Sequence, residues 1–534
     1  MKTFIQTIVT MILTSGFISS SHACGLLCQD KPQAAQIETS PLAVLAQEAV
    51  SEDPARASIA IAALRAKGPM GLQTLLDVHA NFIRIHVNLL LPATSPSPSL
   101  SRRGSSIADV SNALSGPADA QWIRLKEALD TVAQQRDCYA SGLYWHTDFE
   151  QAKTAARASG KPILSLRLLG NLTDEYSCAN SRFFRTALYA NAEVSKYLRA
   201  HFVLHWKSVR PVPRITIDFG DGRKLERTIT GNSIHYILDS EGRPIDALPG
   251  LYGPKAFLDG LAQAAVIAKE YHTKPETERE KFLATYHQAR LQEIAANWES
   301  DLVEVGVNLM VNIPTPGNKT NGLITASEKK SSPTAAEAAV VAPSKMDMEM
   351  PMVRAIHSST FPLLTREGLG EVGEKAQGPG RPTVVPLAKG DSKTIPKMLS
   401  TAMNDAIWAK IAQLHAEDSR LDASTKSLMR AKNPTAFDAS RIALSKMMVE
   451  DPLLKAVRTF EHSIAEDTVR NEYLLHSRIH EWFVNGMTSV NVDVLNEKVY
   501  AELFLTPSSD PWLGLAPRDA YTALENEGMG LTAH

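Results

Sequence analysis

Long apolar runs are missing from this sequence. Past the first 23 residues, no stretch approaches the roughly 20 residues needed to cross a bilayer. The nearest, Val87 to Leu91, is ended by Pro92. No transmembrane segment is expected in the mature chain. An excess of one charge is also missing: 56 Lys and Arg against 58 Asp and Glu leave a formal charge of −2. No basic stripe with interleaved aromatics appears, so nucleic acid is not an expected partner. The phosphate-cradling glycine loop, the nucleophile elbow and the kinase signature are absent, and no cofactor is expected. Cysteine is scarce, with four residues at positions 24, 28, 138 and 178.

The 534 residues are too many for one core and suggest about three domains, and 44% hydrophobic residues are enough to build them. Residues 1–23 carry one positive charge at Lys2, an apolar and hydroxyl-bearing stretch from Phe4 to Ile18, and the small-residue ending Ser21-His22-Ala23. That layout is a secretory signal peptide cleaved after Ala23, which places the mature chain in a periplasm or outside the cell. A lipid anchor at Cys24 is disfavoured, because Ser21 stands where a lipoprotein signal places a Leu-like residue. Disulfides are permitted in that compartment, and three pairings of the four cysteines stay open. Cys24 and Cys28 read as a local bridge, since two thiols without further ligands make a poor metal site. Protein partners are expected.

Residues 40–91 show helical spacing of Leu42, Leu45, Val50, Ile59, Leu64, Leu72 and Leu76, broken once at Gly68-Pro69. Two antiparallel helices are expected there, an ordinary hairpin or one weakly HEAT-like unit. Residues 92–117 read as a Ser- and Pro-rich linker and 118–143 as a helix. A helical extension at 271–313 leads into residues 314–397, whose Pro, Gly, Ser, Thr and Ala content predicts a long disordered linker. Residues 398–534 form a C-terminal helical region, with helices expected at Met398–Leu421, Ala439–Met448, Asp451–Phe483 and Val492–Phe504.

Between these helical parts, residues 144–270 read as α/β. An alanine-rich amphipathic helix from Phe149 stops at Gly160-Lys161-Pro162 and feeds the buried strand Ile163-Leu164-Ser165-Leu166. After a polar loop, Cys178-Ala179-Asn180-Ser181 opens a helix running toward Val194 and Leu198. Strands at Phe202–Trp206 and Ile234–Asp239 follow, the latter turning at Ser240-Glu241-Gly242-Arg243, and a helix from Pro254 to Ala268 closes the unit. Across about 120 residues this order, with a cysteine at a strand-to-helix junction, resembles the thioredoxin superfamily. The resemblance implies a central mixed sheet flanked by helices. It also implies a site at Cys178 with Ser181 in place of the second cysteine, a C-x-x-S motif. Ser233 stands where the family carries a proline before a strand, which makes Asn232 and Ser233, with Trp145, the expected substrate-binding residues. The insertion Ile215–Ile229 reads as a β-hairpin with an Asp-Gly turn.

A helix N-terminus and Arg182 would favour the Cys178 thiolate, and Ser181 would donate to it. Cys138 is the candidate resolving thiol or structural disulfide partner. His476 and His480, with Glu472 one turn earlier, have a spacing that presents three ligands on one helix face. The sequence lacks the glutamate of a zinc-protease helix, so packing histidines beside Trp482 and Phe483 are expected and no metal. Trp145, His146 and Asp148 precede a helix, and capping is their simplest role. Two function classes follow. One is an exported protein of thioredoxin fold performing thiol–disulfide chemistry through Cys178; if it is an enzyme, it is of the thiol-disulfide oxidoreductase type. The other is a non-catalytic envelope adaptor that keeps the fold for protein–protein interaction.

Overall fold

The computed structural model describes residues 40–89, 117–228, 231–307, 405–432, 452–511 and 513. The expected signal segment, Cys24 and Cys28, most of the first expected linker and all of the second, the expected helix at Ala439–Met448 and most of the tail lie outside them. The described chain is mostly helical around a mixed five-stranded sheet.

Four helices, not two, build residues 41–89: α1 (Pro41–Glu48), α2 (Pro54–Ala66), α3 (Pro69–Val78) and α4 (Ala80–Leu89). The extra breaks are local. Asp53 caps α2 by accepting from the Ala55 N–H at 3.0 Å, and Pro54 and Pro69 take first-turn positions where their missing N–H costs nothing. Gly71 lets α3 touch α2, since a Cβ there would sit 2.0 Å from the Leu64 carbonyl oxygen. With α5 (Pro117–Ala133) these helices enclose their own core of Leu64, Leu72, Leu75, Leu125, Leu129 and Cys138. Arg65 ties this core to the sheet by donating to the carbonyls of Val132 at 2.8 Å and Trp145 at 2.6 Å.

The sheet elements follow: β1 (Trp145–His146), α6 (Phe149–Ser159), β2 (Ile163–Leu169), α7 (Ala179–Phe183), α8 (Ala192–His201), β3 (Val203–Arg210), β4 (Arg214–Asp218), β5 (Lys224–Thr228), β6 (Ser233–Leu238), β7 (Pro244–Pro249) and α9 (Pro254–Thr273). Strand order is β1-β3-β2-β6-β7. The first three strands are parallel, and β6 and β7 run antiparallel. Central β2 is buried along its whole length, and Leu164 pairs with Leu204 on one side and Ile237 on the other. Asp148 caps α6, and Gly160 ends it at φ 69°, a left-handed position that suits glycine. The β4–β5 hairpin forms a separate two-stranded sheet where the insertion was expected.

The helix expected from Cys178 to Leu198 is two. A π-turn over Phe184–Leu188 closes the first, and Asn191 opens α8 by accepting from the N–H groups of Glu193 and Val194, both at 3.1 Å. A capping asparagine thus overrides a continuous apolar spacing.

The remaining helices are α10 (Glu276–Glu304), α11 (Asp405–Leu414), α12 (Ala423–Lys432), α13 (Pro452–Arg470), α14 (Ser477–Val484) and α15 (Val492–Glu502). They do not stand apart from the sheet: Leu421, Ile464, Ile479, Phe483, Leu495, Val499 and Tyr500 share one buried cluster with Ile163, Leu166, Ile237 and Phe257. Backbone meets backbone at Gly253, where a Cβ would lie 2.3 Å from the Asp418 carbonyl oxygen. Arg167, buried on central β2, reaches Asp493 at 3.1 Å, and Lys207 meets the same carboxylate at 2.9 Å. Arg210 donates to the carbonyls of Thr506 at 2.8 Å and Asp510 at 3.0 Å, fastening the chain after α15.

Candidate functional site

Two polar constellations are built on the sheet. The first surrounds Cys178. After β2 the chain turns at Gly170, crosses a polar loop and reaches Cys178, which caps α7, its Sγ accepting from the Ser181 main-chain N–H at 3.4 Å. The donor is therefore the backbone of Ser181. Its hydroxyl is buried with no hydrogen-bond partner among the described residues. The loop before β6 lies against the same helix start, since a Cβ on Gly231 would be 3.0 Å from the Ala179 nitrogen. Asn180 donates to the Ser233 hydroxyl at 2.8 Å. Cys178, Ser181, Asn232 and Ser233 are thus brought to one corner.

That corner is roofed. Tyr500 of α15 donates its hydroxyl to the Asn232 carbonyl at 2.9 Å, and the Asn232 amide donates to the Thr506 hydroxyl at 3.1 Å. Burial, with the adjacent Cys178 second, holds the Tyr500 phenol well above its usual range, so it stays a donor. Cys178 is 0% exposed and packs in the sheet core that Tyr500 shares. The Arg182 guanidinium donates to the Ser177 carbonyl at 3.0 Å and also to the Thr228 hydroxyl.

Two residues expected at the site belong elsewhere. Trp145 is a core residue of β1, with its indole N–H donated to Gln135 at 2.8 Å and its ring 5.2 Å from that of Tyr189. Cys138 lies in the core of the N-terminal helices and Cys178 in the sheet core, so the two are not brought together. Burial and the Asp130 charge push the Cys138 thiol well above its usual range, which deprives it of the thiolate that a resolving cysteine needs.

The second constellation centres on Asp246 of β7. Tyr286 of α10 donates to Asp246 Oδ2 at 2.6 Å; Oδ1 accepts from the Ala247 main-chain N–H at 2.8 Å and faces His476 Nε2 at 3.5 Å and His480 Nδ1 at 4.0 Å. His476 closes a π-turn over Asn471–His476, and His480 follows on α14, so the two rings meet with centroids 4.1 Å apart and planes tilted by 33°. His480 Nδ1 meets His287 Nδ1 at 2.8 Å. Glu472 accepts from His476 Nδ1 at 2.7 Å and is itself held by Arg290 at 3.2 Å and the Tyr252 hydroxyl at 3.3 Å.

Burial works against charge here, but the neighbours prevail at some groups. The Glu472 and Asp246 carboxylates flank His476 and push it up to about 9 despite burial. His476 in turn holds both carboxyls below their usual range against the same burial, with Arg290 adding to it at Glu472. Burial lowers His287 to about 4, and burial with the His476 charge lowers His480 well below its usual value. Glu472 is thus an outer partner of His476. Sequence reasoning missed Asp246 and His287, although a lone carboxylate inside the apolar strand Pro244-Ile245-Asp246-Ala247-Leu248 signals a buried charge that requires partners. A cleft of about 220 Å³ reaches the constellation, walled by Tyr252, Arg290, Glu472, His476 and His415. Among the described residues no helix is long and apolar enough to cross a membrane. Comparison of the chain with protein-family models, with curated proteins and with solved structures finds no match to any of them.

Proposed function

We propose that this chain is a scaffold of thioredoxin-like fold whose C-x-x-S corner serves as a docking seam for its own C-terminal region, the whole assembly presenting helical surfaces to protein partners. The observation that carries this reading is the roof over Cys178: Tyr500 and Thr506 bind the Asn232 loop, and the thiol has no exposed surface. The mixed sheet flanked by helices, with Cys178 after its central strand, supports the fold assignment. A thiol that must attack a disulfide needs access as well as a low pKa. Thiol–disulfide chemistry at Cys178 is the second reading, favoured by the Ser181 N–H aimed at its sulfur. It requires the chain around Tyr500 and Thr506 to move away first.

Alkylation of the native full chain, resolved by residue, separates the two. The scaffold predicts that Cys178 reacts at the rate of global or local unfolding and gains reactivity in step with urea. Reaction at neutral pH as fast as a model thiol, without denaturant, would falsify the scaffold reading and support the redox one.

A further inference from the structure

We infer that Asp246, His476 and His480 form a binding site for one transition-metal ion of the Zn²⁺ type, which clips the C-terminal helices to the sheet. One donor atom from each residue lies within 4.8 Å of the other two, and all three residues are buried. The spacings of 3.5 Å and 4.0 Å from Asp246 Oδ1 to the two imidazole nitrogens are close to the donor separation of about 3.3 Å in a tetrahedral centre with bonds of about 2.0–2.1 Å. His476 Nε2 makes no hydrogen bond, although the residue is only 2% exposed and this atom faces the carboxylate.

The surrounding groups are arranged as outer partners of metal ligands are. Glu472 is a pure acceptor, so the His476 Nδ1–H points at it and Nε2 is left for the ion. Arg290 and Tyr252 fix Glu472, while Tyr286 holds Asp246 Oδ2 and the Ala247 N–H orients Oδ1 at 2.8 Å, leaving that oxygen a second lone pair toward the histidines. His480 presents the Nδ1 that otherwise meets His287, and the π-turn ending at His476 is a helix irregularity of the kind found at functional sites.

Two imidazoles and one carboxylate suit a borderline ion and not Ca²⁺ or Mg²⁺, which demand oxygen-rich shells. A cleft lined by Glu472 and His476 opens beside the site and is the side from which an ion would enter. This site is independent of the role assigned to Cys178.

The test uses the full chain, free of tags and stripped with a chelator, carrying Cys24→Ser and Cys28→Ser so that the adjacent thiols take no metal. Zn²⁺ is titrated against a chromophoric competitor, and Co²⁺ binding is followed by visible absorption. The site predicts one ion per chain, the strong visible bands of a low-coordinate Co²⁺ centre, and a higher Tm with Zn²⁺. Glu472→Gln should weaken binding about 10–100-fold, and His480→Gln more than that. Absence of stoichiometric binding and of Co²⁺ bands in the parent overturns the site without recourse to any variant. So does an affinity unchanged in both variants, which would leave only adventitious binding elsewhere.

Discussion

The Cys178 corner and the Asp246 constellation are set on strands of one sheet and both are closed over by C-terminal chain, yet they are made of different chemistry. At Cys178 the hydrogen bonds that close the seam join neutral groups: a phenol on a carbonyl, an amide on a hydroxyl, a main-chain N–H on a thiol. At Asp246 two carboxylates, an arginine and three histidines share one buried volume. Leaving a neutral buried group unpaired costs about 1–3 kcal/mol, while stranding a buried charge costs about 3–5 kcal/mol. Neutral polarity in a seam tells the chain where to dock. Charge in a seam demands a compensating partner, which is why the second constellation reaches beyond one helix to β7, α10 and the π-turn.

The contrast is broken most forcefully at Asp246. Asp246→Ala leaves the Tyr286 hydroxyl and the Nε2 side of His476 without their buried carboxylate, and should cost about 3–5 kcal/mol in urea unfolding with chelator present. A loss below about 1 kcal/mol would mean that this region is wet and not a buried charge network. Tyr500→Phe removes the donor to the Asn232 carbonyl and should cost about 1–3 kcal/mol while speeding native alkylation of Cys178. An unchanged alkylation rate would show that the roof is held by apolar packing alone.

A pH scan sharpens the difference. His415, across the cleft from Glu472, is raised to about 9, mainly by its hydrogen bonds to Asp301 and Asp418. The folded state binds this proton more tightly, so the stabilisation is complete below the unfolded value of about 6.5 and is lost as pH rises through about 9. The urea midpoint of the wild type should therefore fall more steeply between neutral and alkaline pH than that of His415→Gln, and parallel profiles would contradict it. The smallest effect belongs to Cys178→Ser. Serine is itself a favoured N-cap and accepts the same Ser181 N–H, so stability should change by no more than about 1 kcal/mol. A larger loss would show that the sulfur is valued for packing beyond its capping role.

Legibility in the sequence followed the range of the interaction. The strand at Ile163, the helix between Asp148 and Gly160 and the hairpin around Asp221-Gly222 were readable because a cap, a glycine or a run of apolar residues acts within a few positions. The break between α7 and α8 was missed because the cap at Asn191 interrupts a spacing that reads as one helix. The cysteine at the strand-to-helix junction and the loop at Asn232 and Ser233 were found, but their covering was not. Tyr500 is more than 260 residues from Asn232 in sequence, and no periodicity links them.

What the sequence by itself determined is where the local caps and apolar runs lie and which side chains they offer: a thiol at the start of α7, His476 and His480 one turn apart, an aspartate alone in an apolar strand. These depend on local backbone preference and on side-chain period. Only the tertiary structure decided that the thiol is sealed, that Trp145 is core, that Cys138 belongs to another cluster, and that Asp246 and His287 join the two histidines. The physical reason is burial. Whether a polar group reacts, binds an ion or holds a seam depends on how much water it keeps and which charges share its volume, and both are set by segments far apart along the chain.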